Sequence, residues 1–207
     1  AMKEQAFLAR LRQGLEVGYP VRDQRVEAES VQLLEGFQLL TAKPILIVVN
    51  IGENEECDPM AVESDLASIV TGPRVAVTTL SGKLEMELTQ MDEQDEREFR
   101  ESLKLGEPGL SRVIRVSHEI LDLVTFFTGN ANEVRAWTVA RGTSVVKAAG
   151  KIHSDLERGF IRAEVVRFSD LEKCKNLSEA RRRGVIRQEG RSYPVQEGDV
   201  INVLFNV

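Results

Sequence analysis

Asn50 and Glu53 stand three residues apart, directly after the apolar run Ile45-Leu46-Ile47-Val48-Val49. An amide that donates and accepts, followed at short range by a carboxylate, can pair with the polar edge of a ligand. On their own the two residues read as a turn former and a surface acid. The strand before them supports the sharper reading. A continuous apolar run, stopped by Pro44 on one side and by Asn50 and Gly52 on the other, reads as a buried parallel strand covered by helices on both faces. Polar groups at the carboxyl end of such a strand are where open α/β sheets hold ligands.

Other residues carry weaker chemical signals. Arg181-Arg182-Arg183, with Lys173, Lys175, Arg187 and Arg191 nearby, form a basic cluster that reads either as a solvated helix end or as an RNA-phosphate footprint. His153-Ser154-Asp155 has triad composition, but no nucleophile is placed beside it, so a structural or surface role is expected. His118 falls in a helical pattern. Trp137, Phe160 and Phe168 fall in β-rich runs, where core packing is the default and stacking on a base the alternative. Cys57 and Cys174 are too few for a disulfide framework, and neither has a partner at zinc-ligand spacing. They are expected to be reduced thiols, and no metal site is expected.

The chain has 207 residues, 42% hydrophobic, enough for one large or two small domains. No apolar run approaches the roughly 18 residues that span a bilayer, and no signal-peptide core follows the N-terminus. A soluble, cytoplasmic protein with no membrane partner is expected. The net charge of −6 hides an asymmetry: residues 1–123 carry 13 Lys and Arg against 23 Asp and Glu, whereas residues 124–207 carry 14 against 10. The resulting nets of −10 and +4 argue for two domains, with the basic one facing anionic partners such as RNA.

The elements that would position these residues follow from periodicity. Phe7, Leu8, Leu11 and Leu15 predict an amphipathic helix over Lys3–Val17. Val26, Leu33, Leu34, Phe37 and Leu40 predict a second, which completes a helical hairpin leading into the strand. Pro59 opens a helix to about Ile69, Arg74–Thr79 is a second strand, and Leu80-Ser81-Gly82-Lys83 turns into a helix through Leu88. This βαβα order predicts a parallel pair. Charged and amphipathic helices follow over Met91–Leu105 and Leu110–Leu121. Beyond these the pattern changes to a hairpin over Val124–Thr128 and Val134–Ala140, joined through Gly129-Asn130-Ala131-Asn132. A short helix over Ser144–Gly150 and a strand over Phe160–Phe168 come next. A capping-box helix then opens at Ser169, and strands over Ile186–Gln188 and Asp199–Phe205 complete the sheet. The fold class expected is α/β plus α+β: a partial parallel α/β unit with a helical hairpin, then a β-grasp, ubiquitin-like module.

Several stretches, in order, resemble the C-terminal part of the YchF-type, Obg-related P-loop ATPase/GTPases. They are Leu39-Leu40-Thr41-Ala42-Lys43-Pro44, the Asn50-x-x-Glu53 turn, Glu107-Pro108-Gly109-Leu110 and Glu133-Val134-Arg135-Ala136-Trp137-Thr138. Further on come Ala148-Ala149-Gly150-x-Ile152-His153, Gly159-Phe160-Ile161-Arg162-Ala163-Glu164-Val165 and the ending Gly198-Asp199-Val200 to Phe205-Asn206-Val207. The resemblance implies the end of a coiled-coil arm over 1–23, the back half of a G domain with its base-recognition loop over 24–122, and a TGS domain over 123–207. It implies that Asn50, Ile51 and Glu53, with Ser81 and Gly82, read a nucleotide base, Asn-x-x-Glu replacing Asn-Lys-x-Asp. ATP or GTP with magnesium would be the cofactor of the parent family, and the ribosome or RNA the partner of the TGS domain. Gly52 and Gly82 depart from the family's commoner residues.

Gly-x-x-x-x-Gly-Lys-Ser/Thr occurs nowhere in the sequence, and the switch regions and the magnesium-binding Asp are missing with it. No hydrolysis by this chain alone and no tightly bound cofactor are therefore expected. Its opening, in what resembles the middle of a coiled-coil arm, suggests a truncated form or a remnant. The alternative is a non-catalytic RNA- or protein-binding adaptor. The edge of the strand at Ile45–Val49 needs cover, so either self-association or helices packed over it are expected.

Overall fold

The structure, a computed structural model, describes residues 2–52, 58–70, 72, 74–129 and 133–206. It divides into two compact units, Ala1–Leu121 and Asp122–Val207. The Gly129–Asn132 turn, apart from Gly129, and Cys57 lie outside the described residues.

The first unit opens with α1 (Met2–Glu16), whose Phe7 and Leu11 bury against Val21 in a 3-10 turn. Gly18 adopts φ +81°, and the Tyr19 amide returns to the Gly14 carbonyl, which ends the helix. The second helix, α2 (Ala28–Phe37), is shorter than the apolar pattern predicted: Val26 precedes it and Leu40 begins a separate 3-10 turn. Leu34, Val26 and Leu39 nevertheless pack on the Phe7–Leu11–Val21 cluster, so the spacing recorded a shared core rather than one continuous helix.

The strand β1 (Ile45–Asn50) leads to α3 (Pro59–Ile69), where Asp58 Oδ1 accepts from the Met60 amide at 3.0 Å and Pro59 takes the first helical position. Then come β2 (Val75–Leu80), α4 (Gly82–Leu88), α5 (Glu93–Ser102) and α6 (Gly109–Ile120). β1 and β2 run parallel in unbroken register, from Ile45 opposite Val75 to Asn50 opposite Leu80. α3 and α6 pack on this pair. The expectation that β1 is buried on both faces is not met: Ile45 and Val48 remain 38% and 43% exposed. The sheet has two strands among the described residues, so an apolar strand lacks the surface that would cover it.

The second unit contains β3 (Leu123–Gly129), β4 (Val134–Ala140), α7 (Val145–Ile152), α8 (Ser154–Arg158), β5 (Phe160–Arg167), α9 (Phe168–Cys174), α10 (Leu177–Arg182), β6 (Arg187–Glu189) and β7 (Asp199–Phe205). Its mixed sheet has the order β4-β3-β7-β5-β6, with β3 and β7 parallel and the other pairs antiparallel. Alternation along the strands sends Val124, Phe126, Ala163, Val165 and Ile201 inward onto Val145, Ala148 and Ala149 of α7. The capping box at Ser169 does not form. The extended Arg167 precedes the first helical residue, Phe168, whose amide is held by the Gly198 carbonyl. Phe168 is thus helical and half exposed rather than a strand residue. Among the described residues, no helix is long and apolar enough to cross a membrane.

Candidate functional site

Asn50 ends β1 and Leu80 ends β2, so their parallel register brings the two following turns side by side at the carboxyl edge of the pair. Asn50 Oδ1 accepts the Gly82 amide hydrogen at 2.9 Å, and the Ile51 amide donates to the Leu80 carbonyl at 2.9 Å. A Cβ on residue 82 would lie 3.2 Å from Asn50 Oδ1, which is why glycine suits the position. Ser81 Oγ is buried, with no hydrogen-bond partner among the described residues. A hydroxyl in that state can both donate and accept, and leaving it unmatched is costly.

The structure therefore brings Asn50, Ile51, Ser81 and Gly82 together; Glu53 lies outside the described residues. With Oδ1 committed to Gly82, the Asn50 amide nitrogen is the half of the side chain left to donate to a ligand. A main-chain contact from Ile51 would come through its carbonyl. These groups can donate to and accept from the polar edge of a ligand. Among the described residues there is no cluster of three His, Cys, Asp or Glu side chains that could hold a metal.

A support that sequence reasoning missed fixes the second turn from below. Glu63 of α3 accepts from the Thr79 amide at 2.6 Å, from Thr79 Oγ1 at 2.9 Å and from Thr78 Oγ1 at 3.3 Å. Burial pushes the Glu63 carboxyl up, but these hydrogen bonds and the Arg112 guanidinium, 3.7 Å away, hold it below the usual carboxylate range. Arg112 of α6 also donates to the Thr79 carbonyl at 3.3 Å. β2 is thereby clamped from α3 and α6 immediately before Leu80-Ser81-Gly82. Its only sequence signal was the pair of polar threonines ending an otherwise apolar strand.

In the second unit most of the basic cluster is engaged locally. Lys173 pairs with Asp170 at 3.3 Å, Arg181 with Glu164 at 2.8 Å, and Arg182 and Arg183 both with Glu179, at 2.8 and 2.7 Å. Arg187 donates to Tyr193 Oη at 3.1 Å and lies over its ring, while Arg191 donates to the Phe160 carbonyl at 3.0 Å. Lys175 ends α9 with φ +65°. The arginine triplet and Lys173 keep exposed side chains, so an anion could still reach them, in competition with their carboxylates.

The remaining sequence candidates serve structure. His153 is the N-cap of α8, its Nδ1 accepting from the Asp155 amide at 3.2 Å, so the His-Ser-Asp run is a helix start. Trp137 is half-buried with Nε1 donating to Thr128 Oγ1 at 2.9 Å, and Phe160 is buried in the core. Cys174 is a buried free thiol, and His118 lies in the last turn of α6.

Residues 123–206 match the family YchF-GTPase_C, described as a protein of unknown function (DUF933). The chain is 38% identical over 209 residues to the ribosome-binding ATPase YchF of Bacillus subtilis, covering all of this chain and 57% of that protein. It is 36% identical over 208 residues to its counterpart in Escherichia coli O157:H7, again covering all of this chain and 57% of the relative. The YchF GTPase of Schizosaccharomyces pombe superposes with a TM-score of 0.82 at 27% identity, over 98% of this chain and 55% of that one. The chain thus spans about half the length of the curated relatives it matches. Both the sequence matches and the shared fold lead one way: residues 123–206 match the YchF-GTPase_C family, and over its whole length the chain is similar to the C-terminal part of YchF proteins.

Proposed function

We propose that this chain supplies the base-reading loop and the ribosome-facing module of a YchF-type nucleotide hydrolase, the phosphate-binding and catalytic groups lying outside its sequence. The observation that carries the base-reading part is the Asn50–Gly82 hydrogen bond, which joins two turns at the carboxyl edge of a parallel pair, beside a buried Ser81 hydroxyl with no partner among the described residues. Asn50, Ile51, Glu53, Ser81 and Gly82 form the base site on this reading. Affinity is weak because a base alone contributes little without a phosphate clamp. An amide-resolved NMR titration with millimolar ATP, and separately GTP, should perturb Asn50–Gly52 and Leu80–Lys83 and leave the second unit unmoved. Shifts scattered over both units, or none, would remove the base-site reading.

Residues 1–23 are read as the returning end of a coiled-coil arm, 24–122 as the back half of the G domain and 123–207 as a TGS domain. The sheet order β4-β3-β7-β5-β6, with parallel central strands and α7 packed on one face, supports a β-grasp module. Its excess of cations and the relatives described as ribosome-binding support an RNA-facing role in the cytoplasm, with Lys173, Lys175, Arg181, Arg182, Arg183, Arg187 and Arg191 as the first candidates. Co-sedimentation with ribosomes at low and moderate salt, with and without excess ATP, tests this. Salt-sensitive pelleting independent of ATP is expected; absence of pelleting at low salt would defeat it.

A further inference from the structure

The pairing pattern in the second unit separates cations that are already satisfied from those that are not. Along β5 the register sets Ala163 and Val165 against the core, and Arg162 and Glu164 on the opposite face of the sheet. On that face Arg162 lies across from Leu204, and Glu164 between Asn202 of β7 and Gln188 of β6. Glu164 Oε2 accepts from Arg181 at 2.8 Å and from Asn202 Nδ2 at 3.1 Å, which brings α10 to the same surface. Arg162 is exposed, and its guanidinium makes no hydrogen bond or ion pair among the described residues; it touches the pattern only through its field, which helps lower the Glu164 carboxyl. The triplet differs. Arg182 and Arg183 share one carboxylate, Glu179, and Arg181 is tied to Glu164.

We propose that the sheet face centred on Arg162 takes an RNA phosphate backbone, and that Glu164 holds Arg181, and Glu179 holds Arg182 and Arg183, back from it. This rests on the reading of the second unit as RNA-facing and names the surface and its internal competitors. A cation with no carboxylate partner neutralises a phosphate and releases its counterion at full effect, whereas a paired one must first surrender its acid. Gln188, across from Glu164 on the same face, carries a neutral amide of the kind that fixes a backbone without reading sequence, whereas the Asn202 amide is already given to Glu164.

Two variants of the full chain separate this surface from a diffuse basic patch, with a fluorescently labelled mixed-sequence RNA hairpin as probe over a salt series. Arg162→Ala should weaken binding roughly three- to tenfold at low salt and reduce the slope of log affinity against log salt by about one phosphate's worth. Glu179→Gln, which removes an acid and adds no cation, should strengthen binding roughly two- to fivefold and steepen the slope. Unchanged melting temperatures establish that both variants fold. If the wild type binds while both variants match it, the surface is wrong and the RNA-facing reading survives through another face. If the wild type does not bind, both fall. Displacement of the RNA by poly-glutamate as efficiently as by unlabelled hairpin would overturn the assignment to RNA.

Discussion

Arg100→Ala should lower the stability of the first unit by about 3 kcal/mol, the cost of breaking a largely buried ion pair. Arg100 is 8% exposed, donates to both Glu85 oxygens at 3.2 and 2.6 Å, and donates through Nε to Glu96 at 2.8 Å. Glu85 also accepts the Gly109 amide at 2.9 Å, so one carboxylate ties α4, α5 and the start of α6 together. Without the guanidinium, Glu85 keeps a single donor in a site that still excludes most water. The effect should appear as faster hydrogen exchange across α4, α5 and the first turn of α6. It should also be smaller when the same change is made in a Glu85→Gln background, because the partner charge is already gone. The hydrogen bond from Arg100 is the main cause that holds the Glu85 carboxyl below its usual value of 4.5. Its share of stability is thus complete above that value and lost as pH falls through the lower folded value. Arg100→Ala should remove this acid-sensitive share; an unchanged acid limb in the variant would refute the linkage.

Most of the element order could be read from the residues, because it is set by local chemistry. Asp58 followed by Pro59 starts α3 by capping alone, and the Gly198 turn launches β7 where the apolar alternation says it should. The misreadings arise where local and tertiary signals part. β1 is apolar enough for burial on both faces, yet its cover is not supplied by the described residues. Ser169 offered capping chemistry, yet the chain had already entered the helix because Gly198 holds the Phe168 amide from a distant turn. The end of α10 was offered as one reading of the arginine triplet, but its start went unread although Asn176 caps it through the Glu179 amide at 2.8 Å, an Asn-x-x-Glu pattern of the kind that marks helix starts.

The candidate site at the carboxyl edge of β1 and β2 was legible only in part for a similar reason. Asn50 and Ser81-Gly82 are 31 residues or more apart in sequence, and only the parallel register joins them. Glu63 and Arg112 could not be recognised as supports, because their value depends on reaching Thr79 from two different helices. The basic cluster was visible as composition, but composition is blind to pairing. The same seven cations include some already neutralised by Asp170, Glu164 and Glu179, while Arg162, outside the run, has no hydrogen-bond or ion-pair partner among the described residues.

The second large effect is expected at Asp199, the fully buried first residue of β7. One oxygen, Oδ2, accepts from Tyr193 Oη at 2.8 Å and from the Gln196 amide at 2.9 Å; the other, Oδ1, has no hydrogen bond among the described residues and faces Arg187 Nη2 at 3.7 Å. These bonds fasten the turn between β6 and β7, and that turn caps α7. The Tyr193 carbonyl accepts the Val145 amide at 2.8 Å, and the Val195 amide donates to Thr143 at 3.0 Å, with Val195 itself buried. Asp199→Ala strands the tyrosine hydroxyl and the Gln196 amide and leaves Arg187 without its buried counter-charge. A loss of about 2–4 kcal/mol in the second unit is expected, against about 1 kcal/mol for Tyr193→Phe, which removes one donor and leaves the carboxylate its amide bond. Because the turn caps the helix, the protection lost should include the Val145 and Val195 amides as well as residue 199 and its neighbours. Those two amides exchanging as slowly as in the wild type, in a variant whose melting temperature has dropped, would show that Asp199 stabilises the core without holding the turn.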